Sequence, residues 1–137
     1  MKTVLVDTNV ILDIAIPNSV WREWSVSALS AIAETSLLLI NPMIYAEVSV
    51  GFATAQEVDV LLDDSGFQKQ NLPWAAAFLA GRAFKAYRSR GGERTSPLPD
   101  FFIGAHAAAM GHTLLTRDAR RYRTYFPTVE LVAPDTA

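Results

Sequence analysis

Four carboxylates in this chain stand where a side chain can do chemistry. Asp7 follows the β-prone run Thr3-Val-Leu-Val6, and Asp118 follows the similar run Thr113-Leu-Leu-Thr116. Asp100 comes straight after Pro99, at the start of a stretch almost without polar residues, and Glu47 lies a few residues beyond Asn41-Pro42. Carboxylates brought to one point repel each other unless protons or cations sit among them. A donor set of carboxylate oxygens, without His or Cys, favours Mg²⁺ or Mn²⁺ over Zn²⁺. Acidic clusters of this kind hold one or two ions, roughly 4 Å apart when there are two, that act on a phosphodiester. No Ser-His-Asp or Cys-His arrangement competes, and there is no Gly-rich phosphate loop.

The elements that must position these acids alternate between strand and helix. Thr3 to Val6 has the continuous apolar character of a strand covered on both faces. Asp7, Thr8 and Asn9 are cap residues for a short helix, Val10 to Ala15. Ser19 is the expected cap of a second helix reaching about Thr35, with Trp21, Trp24, Ala28, Ala31 and Ile32 on one face. Leu37 to Ile40 is a second buried strand. Asn41 caps and Pro42 opens a third helix that carries Glu47 and ends near Gly51. Ala55 to Asp64 is a helix, Phe67 to Leu72 a weak, partly polar strand. Pro73 starts a long helix with Trp74, Ala77, Phe78, Gly81 and Phe84 on one face. Ser89 to Ser96 is the one flexible loop. Pro99 disfavours a helical Leu98, so the next helix is expected to start no earlier than Pro99. Asp100 lies in its first turn, and Gly111 ends it. A short helix with Arg120, Arg121 and Tyr122 follows Asp118, and Val129 to Val132 is a last strand. Strands separated by helices imply βαβ units and a mostly parallel sheet. In a parallel sheet Asp7 and Asp118 leave the same edge, the one where open α/β sheets place their ligands.

Composition sets the bounds. The 137 residues are expected to form a single domain, residues 1–137, and an apolar fraction of 50% excludes disorder. There is no cysteine, which excludes disulfides and thiolate chemistry and fits a cytoplasmic location. No apolar run is long enough for a membrane span, and Asp7 interrupts any signal-peptide core. The net charge of −2 hides an asymmetry: Lys2, Arg22 and Lys69 are the only basic residues before Arg82, and the other nine follow. An acidic partner such as RNA suits that second half, although solvated helix faces give the same bias.

In order and spacing the chain resembles the PIN-domain ribonucleases, specifically the VapC-type toxins of bacterial toxin–antitoxin pairs. The matching pieces are Val4-Leu-Val-Asp7-Thr-Asn9, Tyr45-Ala-Glu47-Val48, Asp100-Phe-Phe-Ile-Gly-Ala-His-Ala107, and Leu114-Leu-Thr116-Arg-Asp118 with Tyr122. The resemblance implies a three-layer α/β PIN-like fold whose mostly parallel central sheet is flanked by helices. It implies that Asp7, Glu47, Asp100 and Asp118 are the acidic catalytic residues. Asp7, Asp100 and Asp118 would be the leading ligands of Mg²⁺, with Mn²⁺ as a substitute, and Asn9 and Thr116 would help hold the site. Glu47 would ligate directly, act through water, or serve as base. The implied activity is endonucleolytic hydrolysis of structured RNA, tRNA or ribosomal RNA, leaving a 5′-phosphate and a 3′-hydroxyl. The implied partners are a second copy of the chain and a VapB-type antitoxin.

Each residue also has a plainer reading. Asp7, Asp100 and Asp118 would each serve as helix caps, and Glu47 as a solvated helix residue; all four at element ends favour the site. Arg117, Arg120 and Arg121 suit RNA phosphates or an ordinary solvated face equally, as do Arg88, Arg90 and Arg94. His106 is expected to be packed or hydrogen-bonded in its helix, and His112 to be a surface turn residue. The tryptophans and Phe78 suit a core or a dimer interface, and Asp59, Asp63 and Asp64 a solvated face. A DNA nuclease or phosphatase with similar metal chemistry is the alternative within enzymes. A catalytically idle protein-binding module of the same fold is the alternative outside them.

Overall fold

The computed structural model describes residues 1–92 and 98–134. Its element order is β1 (Lys2–Val6), α1 (Thr8–Ala15), α2 (Arg22–Ala33), β2 (Ser36–Ile40), α3 (Pro42–Ser49) and α4 (Ala55–Asp64). There follow β3 (Phe67–Lys69), α5 (Trp74–Ser89), α6 (Leu98–Met110), β4 (Thr113–Leu115), α7 (Arg120–Tyr125) and β5 (Leu131–Val132). The five strands form one sheet in the order β3-β2-β1-β4-β5, and every pairing is parallel. Helices cover it in a three-layer α/β arrangement. Leu5 pairs with Leu39 on one side and Leu114 on the other, so the central strands are apolar on both faces. Leu5, Ile40, Leu114 and Leu115 are fully buried, as the continuous runs require.

Most helix ends follow local chemistry. Asn41 accepts from the Ile44 N–H at 2.9 Å with Pro42 in the first turn, and Thr54 accepts from Glu57 N–H in the same manner. Gly111 takes φ +70°, the left-handed backbone of a helix stop. Pro99 did not delay its helix: α6 begins at Leu98, because a proline in the first turn removes only an N–H with no helical partner.

Two helices depart from expectation. Ser19 does not cap α2; its hydroxyl donates to Asp13 at 2.7 Å and accepts from Trp21 N–H, and α2 starts at Arg22 without a side-chain cap. Ser25 and Leu29 are its buried residues, with Trp24, Ala28 and Ile32 beside them, while Ala31 is exposed. In α5 the inward face is Ala76, Ala80 and Ala83, and Trp74 and Phe78 are 92% and 67% exposed. The small residues let α5 pack closely on α6; of the expected stripe Trp74 and Phe78 turn outward, while Phe84 packs against Phe101 with ring centroids 6.0 Å apart. The weak strand shrinks to β3, and the loop expected at 89–96 lies partly outside the described residues. No described helix is long and apolar enough to cross a membrane.

Candidate active site

Parallel pairing brings Asp7, at the end of β1, beside the end of β4. Asp7 is also the N-cap of α1, its Oδ1 accepting from Thr8 N–H at 2.8 Å. The cap reading of Asp7 is thus present in the structure, and it occupies only one of the two carboxyl oxygens. Its Oδ2 accepts from Thr116 Oγ1 at 2.8 Å, Tyr122 Oη at 3.0 Å and Asn9 Nδ2 at 3.4 Å. Only 4% of Asp7 is exposed. Burial, and then the charge of Asp100, push its carboxyl up to about 7, against the pull of those hydrogen bonds.

Asn9 and Thr116 hold this corner together by hydrogen bonds. Thr116 is fully buried, and while its hydroxyl donates to Asp7 it accepts from Asp118 N–H at 3.1 Å. Asn9 Oδ1 accepts from Arg117 N–H at 3.3 Å. The end of β4 and the start of α1 are therefore stitched to each other, which fixes where Asp118 leaves the sheet. Asp118 itself is exposed.

Glu47 enters from α3. Its Oε1 accepts from Thr8 Oγ1 at 2.7 Å, and burial, with Asp100 adding, raises its carboxyl above the usual range. Asp100 enters from the first turn of α6. Burial raises its carboxyl too; a 2.7 Å ion pair with Arg121 opposes the rise without cancelling it, and Asp118 adds to it. Asp100 is thus coupled electrostatically to each of the other three acids. Among the described residues, no three His, Asp or Glu side chains are gathered tightly enough to form a finished metal cage. Two groups lie between the acids instead: the Arg121 guanidinium on Asp100, and the Tyr122 phenol.

Tyr122 has no role assigned by sequence spacing beyond marking the motif. It is buried, and its hydroxyl lies 3.0 Å from Asp7 Oδ2 and 3.4 Å from Asp100 Oδ1, so one phenolic proton serves two carboxylates. Burial and the two acids push the phenol well above its ordinary range. Gly104 makes room for it: a Cβ there would come within 2.4 Å of the Phe126 ring and 3.0 Å of the Tyr122 ring. The only sequence signal was that Tyr122 follows Asp118 by one helical turn.

The basic residues divide. Arg117 is no merely solvated side chain: its Nε donates to Asp13 at 2.9 Å, and Asp13 is 2% exposed. Burial would raise the Asp13 carboxyl, but bonds from Arg117, Ser19 and Ser25 outweigh it and hold it below the usual range. Arg121 faces Asp100. Arg120 is exposed, and it borders a cavity of about 390 Å³ lined by Tyr87, Asp118, Arg120, Arg121, Thr124 and Tyr125.

His112 corrects the sequence expectation. It is 6% exposed and forms hydrogen bonds to Thr3 and Gln70, because β4 begins immediately after it and draws the turn into the sheet. His106 is fully buried between Asn41 and Gln70, as expected, and burial lowers its imidazole to about 4. Asp59 is not simply solvated either: it accepts from Tyr45 Oη and Lys69 Nζ.

No curated protein matches the chain. Among solved structures, VapBC2 from Rickettsia felis, bound to a promoter DNA fragment, is similar at 19% identity, covering 97% of this chain and 99% of that chain with a TM-score of 0.73. FitAcB from Neisseria gonorrhoeae is 24% identical over 93% of this chain and 95% of that one, with a TM-score of 0.67. VapC20 from Mycobacterium tuberculosis, a Sarcin-Ricin loop cleaving toxin, is 12% identical over 88% and 94%, with a TM-score of 0.62. These likenesses are likenesses of fold. The family model described as PIN domain matches residues 4–127, nearly the whole sequence, and the chain belongs to the PIN domain family.

Proposed function

We propose that the protein is a metal-dependent endoribonuclease, the toxin of a toxin–antitoxin pair, that hydrolyses phosphodiester bonds in structured RNA such as tRNA or ribosomal RNA. The observation that carries this reading is the convergence of Asp7, Glu47, Asp100 and Asp118, with Asp7 buried and held near neutrality by its surroundings and by Asp100. Buried carboxyls whose pKa values are raised by burial and by one another would be relieved by a hard divalent ion. The donors are carboxylate oxygens, and both histidines are spent elsewhere, which fits Mg²⁺ or Mn²⁺. Asp7, Asp100 and Asp118 would hold the ion, and Glu47 would complete the set as a direct ligand, through water, or as the base. When bound, such an ion supplies charge opposite the scissile phosphate and a readily deprotonated water.

The chain's own groups have separate tasks. Thr116 and Asn9 fix the orientation of Asp7 and the exit of Asp118. Thr8 holds Glu47 where its raised affinity for a proton suits it to take one from water. Arg121 neutralises Asp100 and would swing toward phosphate once a metal takes the acid. Arg120 is the exposed cation best placed for the RNA backbone; Arg117, anchored on Asp13, supports the loop between β4 and α7 more than it recruits RNA.

The similar structures named VapBC2 and FitAcB support an antitoxin partner of the VapB type, whose extended arm would present a cation to the acids. The outward Trp74 and Phe78 suit a homodimer face. The test is induced expression followed by sequencing of RNA 5′ ends, with the Asp100→Asn variant alongside. Discrete new 5′-phosphate ends that vanish in the variant are expected. Identical ends from both proteins would overturn the reading in favour of an idle binding module.

A further inference from the structure

The carboxyl edge holds a second polar site, on the other side of β1 from Asp118. There β2 and β3 end side by side, with Gln70 N–H donating to Ile40 C=O at 2.9 Å. A cavity of about 270 Å³ opens between them, lined by Asn41, Pro42, Tyr45, Lys69, Gln70 and Asn71. It is below the ~300–1,000 Å³ usual for whole cofactors and drug-sized ligands, and suits one planar ring system.

The orientation of the Gln70 amide follows from a chain of hydrogen bonds. Asn41 Oδ1 is used by the Ile44 N–H, so the end of Asn41 facing His106 Nδ1 at 3.0 Å is the amino group. His106 Nδ1 must therefore accept, and a neutral His106 carries its proton on Nε2. That proton needs an acceptor, and the Gln70 atom 2.8 Å away is consequently Oε1. The same oxygen lies 2.6 Å from His112 Nε2, which must donate, leaving His112 Nδ1 to accept from Thr3 Oγ1 at 2.6 Å. Two buried histidines thus hold one carboxamide oxygen. The Gln70 amino group takes no partner among the described residues, and neither does the exposed Asn71 amide.

The walls are flat and close to neutral. Tyr45 is braced by its 2.9 Å bond to Asp59, and Lys69 lies 5.0 Å over the Tyr45 ring with its charge balanced by Asp59. A phosphate would find no free cation here, whereas a heteroaromatic ring finds a tyrosine, a proline and oriented amides. We propose that this cavity is a nucleobase subsite in which the Gln70 amino group reads the substituent at purine C6 or pyrimidine C4, an oxygen in guanine and uracil and an amino group in adenine and cytosine, and so favours the first two. Glutamine ordinarily pairs adenine with both ends of its amide. Here the Gln70 oxygen is already taken, so Gln70 reads with its amino group alone. The subsite lies beside the acids on the sheet edge, and its ligand rests on the ribonuclease reading: a base of the RNA being cut.

The Gln70→Glu variant tests this with minimal structural change, since one carboxylate oxygen keeps both histidine donors while the other replaces the amino group. Isotope-labelled full chain in EDTA is titrated with GMP, UMP, AMP and CMP, and with ribose 5-phosphate as the control lacking a base. The expected result is a saturable shift of the Gln70 side-chain amide resonance at lower concentrations of GMP and UMP than of AMP and CMP, and none with the control. In Gln70→Glu, followed through the Asn71 amide, the preference for GMP and UMP over AMP and CMP is lost. A Gln70 amide indifferent to all four nucleotides, or one that responds equally to ribose 5-phosphate, overturns the proposal. The Asp100→Asn variant separates the two readings, because it should keep the nucleotide preference while cutting no RNA. If wild type cuts no RNA yet discriminates the nucleotides, the ribonuclease reading fails and the subsite stands. If wild type cuts RNA and Gln70→Glu leaves the bases around the cut unchanged, the subsite is wrong and the ribonuclease reading stands.

Discussion

Two polar clusters share the carboxyl edge of the sheet, and they meet burial in opposite ways. Around β2 and β3, Asn41, His106, Gln70, His112 and Thr3 are all neutral, and each donor or acceptor turned inward has a matching partner. Around β1 and β4, Asp7, Glu47 and Asp100 are buried or half-buried acids with raised carboxyl pKa values, and donors too few to quiet them. The first cluster is satisfied on its inner side and gives shape, with the Gln70 amino group left toward the cavity. The second holds its charges at a cost that a cation would relieve, which is why the proposed chemistry is placed there. Changes in the two clusters should therefore have opposite signs: substitution in the neutral network costs stability and spares the chemistry, while neutralising an acid costs the chemistry and gains stability.

The largest effect lies in catalysis. Asp7→Asn, Asp100→Asn and Asp118→Asn should each lower Mg²⁺-dependent RNA cleavage by at least about 10²–10³-fold, the scale of losing one preorganised charge-stabilising group. Circular dichroism should show an intact fold. Full activity in any one variant removes that residue from the site.

Next comes the neutral network. His106→Leu fills similar space but orphans the Asn41 amino group and one of the bonds to Gln70 Oε1. At about 1–3 kcal/mol per buried group left unpaired, the loss should be about 2–4 kcal/mol, or roughly 10 °C in Tm. A smaller loss than that of a surface substitution would show that the network is hydrated and does not hold Gln70.

Whether a region could be foreseen from sequence follows the same division. Asp7, Asp100 and Asp118 were recognisable because local rules place acids at element ends, and the apolar runs Thr3 to Val6 and Thr113 to Leu115 told which ends share an edge. The Asn41 cap was equally local. What the sequence concealed depended on long-range partners. Tyr122 lies 115 residues from Asp7, and Gln70 is 36 and 42 residues from its two histidines. The α5 stripe misled at Trp74 and Phe78, though not at Phe84: three alanines, each weakly apolar, won most of the interior through close approach to α6. Periodicity tells that a helix has an apolar face, but whether small or large residues turn inward depends on the space its neighbour leaves.

The dependence of stability on pH can set the clusters against each other. Asp7 has a folded pKa of about 7, above its unfolded value, so between about 4 and 7 the native state holds the extra proton. Its contribution to stability is lost as pH rises through that window, by at most about 1.4 kcal/mol per pH unit. His106 has a folded pKa of about 4, below its unfolded value, so the unfolded state holds the extra proton and stability is gained as pH rises from about 4 to 6.5. In wild type with EDTA the two slopes offset. Urea unfolding at several pH values should give Asp7→Asn a clear rise in stability from pH 5 to 7 and His106→Leu a fall. Parallel curves for all three proteins would show that neither group titrates as its burial implies.

The smallest effect concerns Arg121, which belongs to the acid cluster yet partly calms it. Asp100 keeps a raised carboxyl despite the 2.7 Å ion pair, so its ionised form still burdens the metal-free fold. Asp100→Asn should then stabilise the protein in EDTA by no more than about 1 kcal/mol, a few degrees in Tm, because relief from Asp7 and Glu47 is offset by loss of Arg121. A residue that only capped α6 would show no gain, since Asn caps as well as Asp and loses only the dipole contribution. Millimolar Mn²⁺ should raise the Tm of wild type, as any ligand of the folded state does, and that of Asp100→Asn much less. Arg121→Gln sharpens the comparison. It should lower the Tm in EDTA slightly, since the pair is partly exposed and weak. It should also enlarge the Mn²⁺ shift, because the ion no longer displaces a guanidinium from Asp100. Melting curves of the three proteins with EDTA and with Mn²⁺ decide the matter: equal Mn²⁺ shifts in all of them would mean that Asp100 is no part of a cation site and that Arg121 guards nothing.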